Sequence, residues 1–202
     1  MKNFVFTNAG QHLQFPSDAI HVSDPCYSKK DCGVEIKINN SMPDIPVYFG
    51  ACVGLFTDSS EWLGRVGALI LIEHCDNAVA KQIRISKNPV KAILELGTRI
   101  DTIGVDSGQA GFFDSKLYPL GEREWINDPK DEGSKFYTEC CNLTTETQFG
   151  ALASKQGVVS SSGYGDGSYS VYEVRNKKNN ELIACMVLFT SPEDFGIDDL
   201  FN

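Results

Sequence analysis

The sequence predicts a mainly β protein: a single β-rich domain, either a sandwich or a strongly curved antiparallel sheet, with one or two short helices. Three observations lead there. Apolar residues fall in short runs rich in Val, Ile, Phe and Tyr, of strand length. Breaks containing Gly, Asn, Asp and Pro punctuate them. One stretch alone, residues 133–147, offers a good helical pattern.

The elements follow in order. "FVF" opens the chain, and "AIHVSD" (19–24) reads as a strand running into a turn. "VEIKIN" (34–39) alternates strictly, as a half-buried strand does. "PVYFGACVGLFT" (46–57) is rich in β-formers, with Gly50 and Gly54 where a bulge or close contact fits. "RVGALILIEH" (65–74) suits a central strand buried on both faces. "QIRIS" (82–86) alternates again, "VKAILELG" (90–97) fits strand or short helix, and "DTIGVD" (101–106) reads as strand. In "GSKFYTECCNLTTET" (133–147), Phe136, Cys140 and Leu143 recur at near-helical spacing, and Ser134 is placed to cap the start. "GVVSSS", "GSYSVYEVRN" and "ELIACMVLFT" follow as strands, the last two joined by an Asn-rich turn at 176–180. Residues 1–202 thus form one domain, with a surface insertion at 121–134 and an acidic C-terminal tail at 191–202 that docks as a short helix or hangs free.

Charge narrows the function. Acids outnumber bases 27 to 18, giving a net charge of -9, and no basic run exceeds two residues. A protein that grips long nucleic acid needs a Lys/Arg surface to release counterions, so bulk DNA, bulk RNA and anionic membranes are disfavoured partners. The N-terminal residues carry no signal-peptide pattern and no apolar run spans a bilayer, so the expected address is cytoplasmic. Seven cysteines without a C-x-x-C read as free thiols, and no His completes a zinc spacing with Cys26 and Cys32.

Three loops hold unusual residues. "SDPCY" (23–27) is an Asp-Pro turn in which Asp24 bonds backbone N–H groups, or in which Asp24, Cys26 and Tyr27 line a cleft. In "VDSGQAGFFD" (105–114), Asp106, Ser107 and Gly108 turn the chain, and Gln109 either satisfies buried backbone or reads a ligand edge. In "SSSGYGDGSYSVY" (160–172), Gly163, Gly165 and Gly167 make the loop pliant and bring backbone N–H groups near whatever sits there, and Tyr164 and Tyr169 offer rings. That loop has no Walker Gly-Lys-Ser/Thr and precedes a strand, so it is neither a P-loop nor a dinucleotide fingerprint.

Taken together, these loops resemble a family of phage and bacterial proteins of unknown function. Its members carry an Asp-Pro turn, a Val-Asp-Ser/Ala-Gly segment ending in Phe-Asp, and a Gly-x-Gly-Asp-Gly-x-Tyr segment. The "SDPCY" form resembles the phage-borne branch. The resemblance runs over residues 20–189 and sets Asp24, Asp106, Gly108, Asp114, Gly165, Asp166, Gly167 and Tyr169 on matching positions. It implies a cytosolic β-rich domain, brings no catalytic assignment, and connects a phage origin with interference in host defence.

The expectation is a small-ligand-binding protein that sequesters a nucleotide-type signal and needs no cofactor. Its ligand-binding residues are Asp24, Cys26, Tyr27, Asp106, Ser107, Gly108, Gln109, Tyr164, Gly165, Asp166, Gly167 and Tyr169. The alternative is a hydrolase of such a signal, with Asp24, Asp106 and Asp166 holding Mg²⁺. The third reading is an inhibitor that binds a host protein, and homo-oligomers are compatible with all three. A Cys26–His21 dyad is the remaining nucleophilic option.

Overall fold

The computed structural model describes residues 3–42, 44–57, 63–119 and 132–197. The apolar runs become strands β1 (Phe4–Gln14), β2 (Ala19–Ser23), β3 (Val34–Lys37), β4 (Tyr48–Phe56) and β5 (Val66–Glu73). Helices α1 (Ala78–Ile85) and α2 (Pro89–Leu96) follow, then β6 (Thr98–Val105), β7 (Gln109–Asp114) and α3 (Glu132–Thr147). The chain continues through β8 (Phe149–Ala151), β9 (Gly157–Ser161), β10 (Gly167–Arg175), β11 (Leu182–Leu188) and a 3-10 helix, Pro192–Phe195.

The strands form two antiparallel sheets, ordered β1-β4-β5-β11-β10-β6 and β3-β2-β7-β9-β8. Alternation along each strand divides its residues between layers. Ile20 and Val22 of β2, Leu69 and Leu71 of β5, Phe112 of β7 and Val187 of β11 meet between the sheets. The opposite faces of β5 and β11 carry Ala68, Ile70, Ile72, Met186 and Leu188, which pack under α1, α2 and the 3-10 helix. On the outer face of the smaller sheet, Phe113 and Val159 pack against Phe136 and Cys140 of α3. The order is therefore helices, six-stranded sheet, core, five-stranded sheet, helix. The strictly two-sided burial of β5 follows from its central place in the larger sheet. Among the described residues, no helix is long and apolar enough to cross a membrane.

Several expectations change. The "QIRIS" segment is not a strand; it belongs to α1. Ile83 and Ile85 alternate, but Ile83 is buried with Ala80 while Ile85 is 74% exposed. The packing spacing is thus i, i+3, and Asn77 caps the helix by accepting from the Val79 N–H at 2.8 Å. "VKAILELG" resolves to helix for the same reason, with Asn88 accepting from Lys91 N–H at 3.0 Å and Pro89 in the first turn. Among the described residues there are three α-helices where one or two were expected. Ser134 lies inside α3, which already includes Glu132, so it does not precede the helix as a cap. β1 is far longer than "FVF"; register shifts after Asn8 and Gly10 hid its period. Of the expected insertion, residues 121–131 lie outside the described residues, and 132–134 open α3. The tail docks through Pro192–Phe195, with Phe195 and Ile197 buried; residues 198–202 lie outside the described residues.

Topology brings the three unusual loops to one end. Residues 106–108 carry the chain from β6 in the larger sheet to β7 in the smaller, and residues 162–166 carry it back from β9 to β10. The pairs Gly167–Val105 and Gln109–Ser161 lay these crossings side by side. β2 pairs with β7 through Ser23–Gly111, so the turn after β2 arrives at the same place.

Candidate functional site

Asp24, directly after β2, is fully buried, and both its oxygens are occupied. Oδ1 accepts from the Cys26 N–H at 2.8 Å and the Ser107 hydroxyl at 2.6 Å; Oδ2 accepts from the N–H groups of Asp106 and Ser107 at 2.8 and 2.7 Å. The carboxylate is a latch between the first and second loops. It leaves no oxygen for a ligand or a metal ion, whatever its place in the sequence pattern suggested. The same latch is tightened from below by Tyr118. Its buried hydroxyl lies 2.8 Å from the carbonyls of both Asp24 and Tyr27.

Above this latch, the half-buried Tyr27 donates its hydroxyl to the exposed Asp106 carboxylate. That bond is also the main reason the phenol holds its proton above the ordinary range. The second and third loops meet through Ser162, whose N–H donates to the Gly108 carbonyl at 3.0 Å. Gly108, at φ 71°, lies with the place of a Cβ 3.7 Å from the Cα of Gly165, itself at φ 108°. Glycine at both positions supplies the positive φ that these turns require. In the third loop, the Ser162 hydroxyl donates to Gly165 O at 2.8 Å, and the Tyr169 hydroxyl lies 3.0 and 2.8 Å from Ser162 O and Gly165 O. Tyr169 therefore turns inward as a brace. The Gly165 N–H is also used, donating to Ser162 O at 3.0 Å. Asp166 and Gly167 are exposed, as is Tyr164, at 49%.

Gln109 is buried. β7 alternation puts it on the same face as Phe113, under α3, where its amide reaches Cys141 Sγ at 3.4 Å and accepts from the Thr144 hydroxyl at 3.1 Å. It ties strand to helix. Asp114, at the far end of β7, accepts from the N–H groups of Ser17, Lys116 and Leu117 and stands apart from the other loop aspartates.

Four groups join the cluster without having been singled out in the sequence. Tyr137 and Cys141 of α3 bond to each other, and Tyr137 also senses Ser107 and Cys26. Burial, then the Cys141 thiol, pushes the Tyr137 phenol up to about 12. Thr144 completes the helix face. Tyr137, Cys141 and Thr144 stand at i, i+4 and i+7, a stripe beside the apolar Phe136–Cys140–Leu143 one, and that offset is the signal that marks them. Arg65, before β5, lies 4.3 Å over the Tyr164 ring and donates to Gly163 O at 3.1 Å. Nothing in its sequence surroundings announced that role.

The Cys26–His21 dyad does not form. Burial, followed by the Asp24 charge, pushes the Cys26 thiol up to about 12, so it is not a thiolate at neutral pH. His21 faces away beneath Tyr118, ring centroids 4.2 Å apart, and the place of a Cβ on Gly33 is 2.6 Å from its Nε2. That Nε2 is buried without a hydrogen-bond partner. All seven cysteines are free thiols. Among the described residues, no group of three or more His, Cys, Asp or Glu is placed to hold a metal ion.

His21 makes stability depend on pH. Burial first, then the charge of Lys29, lowers its pKa from 6.5 to about 4. The unfolded chain takes up a proton near 6.5 while the folded chain does not until about 4. Stability is therefore whole above 6.5 and declines as pH falls from 6.5 to about 4. The loss is on the order of 3 kcal/mol. Urea midpoints measured across this window should fall more steeply for the wild type than for His21→Phe, which has no proton to gain; parallel profiles would refute the assignment.

No curated protein and no solved structure matches the chain. A family described as a protein of unknown function (DUF4241) matches residues 73–188, more than half of the 202. The match includes the second and third loops and α3, while the Asp24 turn, which latches the second loop, lies before it. By the extent of that match, the chain belongs to the DUF4241 family.

Proposed function

We propose that the protein binds a small ligand of nucleotide type at the end of the sandwich where the three loops meet, and that it sequesters this ligand. The supporting observation is the junction itself. Tyr27 is bonded to Asp106, Gly108 lies against Gly165, and the exposed Asp106, Tyr164 and Asp166 surround that junction. The buried Asp24 latch holds the first two loops and the Ser162 N–H bond to Gly108 O ties in the third, so the groups above are pre-set for binding.

The chemistry favours recognition of sugar and base over a phosphate cradle. Exposed carboxylates accept from ribose hydroxyls and repel phosphate, and the Gly165 N–H is already used within the loop. Tyr164 is 49% exposed and offers a ring for stacking, held in place by Arg65 at 4.3 Å. Nucleophilic or metal chemistry draws less support, since Asp24 is spent on backbone donors and the Cys26 thiol is held protonated. On the resemblance to the phage-borne branch, the setting is the cytoplasm of an infected bacterium, and the role is capture of a defence signal.

The test is incubation with cyclic and ADP-ribose-type nucleotides, followed by release on heating. Intact nucleotide recovered after denaturation supports sequestration. Product formed at substoichiometric protein would replace sequestration with hydrolysis. Neither retention nor turnover across the panel would overturn the reading and favour a protein partner. Asp166→Ala should weaken retention about tenfold or more while leaving the melting temperature unchanged, because the side chain is exposed. A clear fall in melting would reassign Asp166 to turn formation.

A further inference from the structure

At the other end of the sandwich lies a cavity that the ligand reading does not use. β10 begins at Gly167 beside the three loops and ends at Arg175, so the β10–β11 turn marks the far end. A cavity of about 350 Å³ opens there. Its walls are Asn176 and Glu181 of that turn, the chain from Glu73 to Asn77 after β5, and the loop between β3 and β4. A second cavity, of about 450 Å³, lies against the same loop, and Asn40, Ile45, Pro46 and Val47 line both. The loop is undercut, and two of its apolar side chains are largely exposed, Met42 at 60% and Ile45 at 56%. Val47, Ile183 and the Tyr48 ring continue this apolar wall.

Against it stand carboxylates. Glu73 is half-buried, and its side-chain bond is to the Cys75 thiol at 2.9 Å. Burial raises its pKa and the nearby charge of Glu181 adds to that, opposed by the Cys75 bond and by the charge of Arg84. Glu181 is aimed by Ser41, whose N–H donates at 3.1 Å and whose hydroxyl also donates. Arg84 is close, but it donates to the carbonyls of Glu73 and Cys75 and not to the carboxylate. His74, held below its ordinary pKa chiefly by burial, contributes little positive charge at neutral pH. Among the described residues, no Lys or Arg forms an ion pair with Glu73 or Glu181. A concave site with an apolar wall facing two carboxylates that form no salt bridge among the described residues is complementary to a cation on a hydrocarbon stem.

We propose that this cavity binds a small aliphatic amine, with the ammonium between Glu73 and Glu181 and the methylene chain along Met42, Ile45, Val47 and Ile183. The site is separate from the loop site and does not depend on it.

The probe is 1,5-diaminopentane, titrated calorimetrically into the full chain, with 1-pentanol and pentanoate as neutral and anionic counterparts. The diamine is expected to bind and the other two are not. Glu73→Gln should weaken the diamine about tenfold, the scale of losing one charge-assisted contact. Asp166→Ala, at the other end, should leave the affinity unchanged. As a readout that needs no variant, the diamine should shift the Met42 methyl resonance. Absence of heat and of a Met42 shift at millimolar diamine overturns the proposal. So does equal binding of 1-pentanol, which would make the cavity merely apolar, or undiminished affinity in a folded Glu73→Gln.

Discussion

Asp24→Ala is expected to lower the unfolding free energy by about 3–5 kcal/mol, the largest effect of any loop substitution. The carboxylate is fully buried and accepts four hydrogen bonds, three of them from backbone N–H groups on two loops. Alanine removes every acceptor at once and leaves those donors without the partner that tied the two loops together. Charge-assisted bonds are the strong ones, and unsatisfied buried donors bear the full cost of lost hydration. In a domain of this size the melting temperature should drop on the order of 10 °C. Asp24→Asn fits the space but places an amide N–H group where donors already point, so it should recover only part of the loss. Asp106→Ala, at an exposed carboxylate bonded to Tyr27, should cost much less. Chemical denaturation of the three variants checks the order. An Asp24→Ala protein of wild-type stability would show that the loops hold without the latch, and would return Asp24 to the groups available to a ligand.

This contrast among aspartates shows where the sequence was legible. The Asp-Pro turn announced that Asp24 would bond backbone, and its Cys26 N–H bond is that turn. Its bonds to Asp106 and Ser107, 82 and 83 residues away, depend on β2 pairing with β7, which no local pattern encodes. The strongest strands, β5 and β11, were readable because burial on both faces leaves long apolar runs. β1 was not, because its bulges break the two-residue period. α1 was misread because five residues holding two isoleucines fit both periods, and only the position of the sheet decides which isoleucine is buried. Gln109 could have been placed by alternation with Phe113, given that α3 covers that face; the covering helix was the missing piece. The convergence of the second and third loops follows from both being sheet-to-sheet crossings, a property of topology and not of composition.

Phe195→Ala should destabilise the protein by a comparable amount, about 3–5 kcal/mol. The residue sits in the acidic tail, where a short run of acids with interspersed Phe and Ile fits either a docked element or a free partner-binding segment. Its ring is buried, with centroids 5.0 Å from Phe4, 6.2 Å from Phe6 and 5.1 Å from Phe56. Glycines make the seat. A Cβ on Gly54 would lie 3.0 Å from the Phe195 ring, and one on Gly67 2.9 Å from it. The main chain is fastened as well, the Asn88 side chain donating to Phe195 O at 3.0 Å. Truncation to alanine leaves a cavity bounded by rigid strands and three aromatic rings, which cannot collapse far, so the cost should fall near the upper part of the range for buried Phe. The loss should appear in urea midpoints and melting alike. It should leave nucleotide retention intact in the fraction that is folded, because the seat lies on the outer face of the larger sheet, across the core from β2 and β7. Deleting the chain from Ser191 onward should cost at least as much as the single substitution. A tail that could be cut to alanine without loss would instead be free to engage another protein, so the same measurement weighs the ligand-binding reading against the partner-binding one.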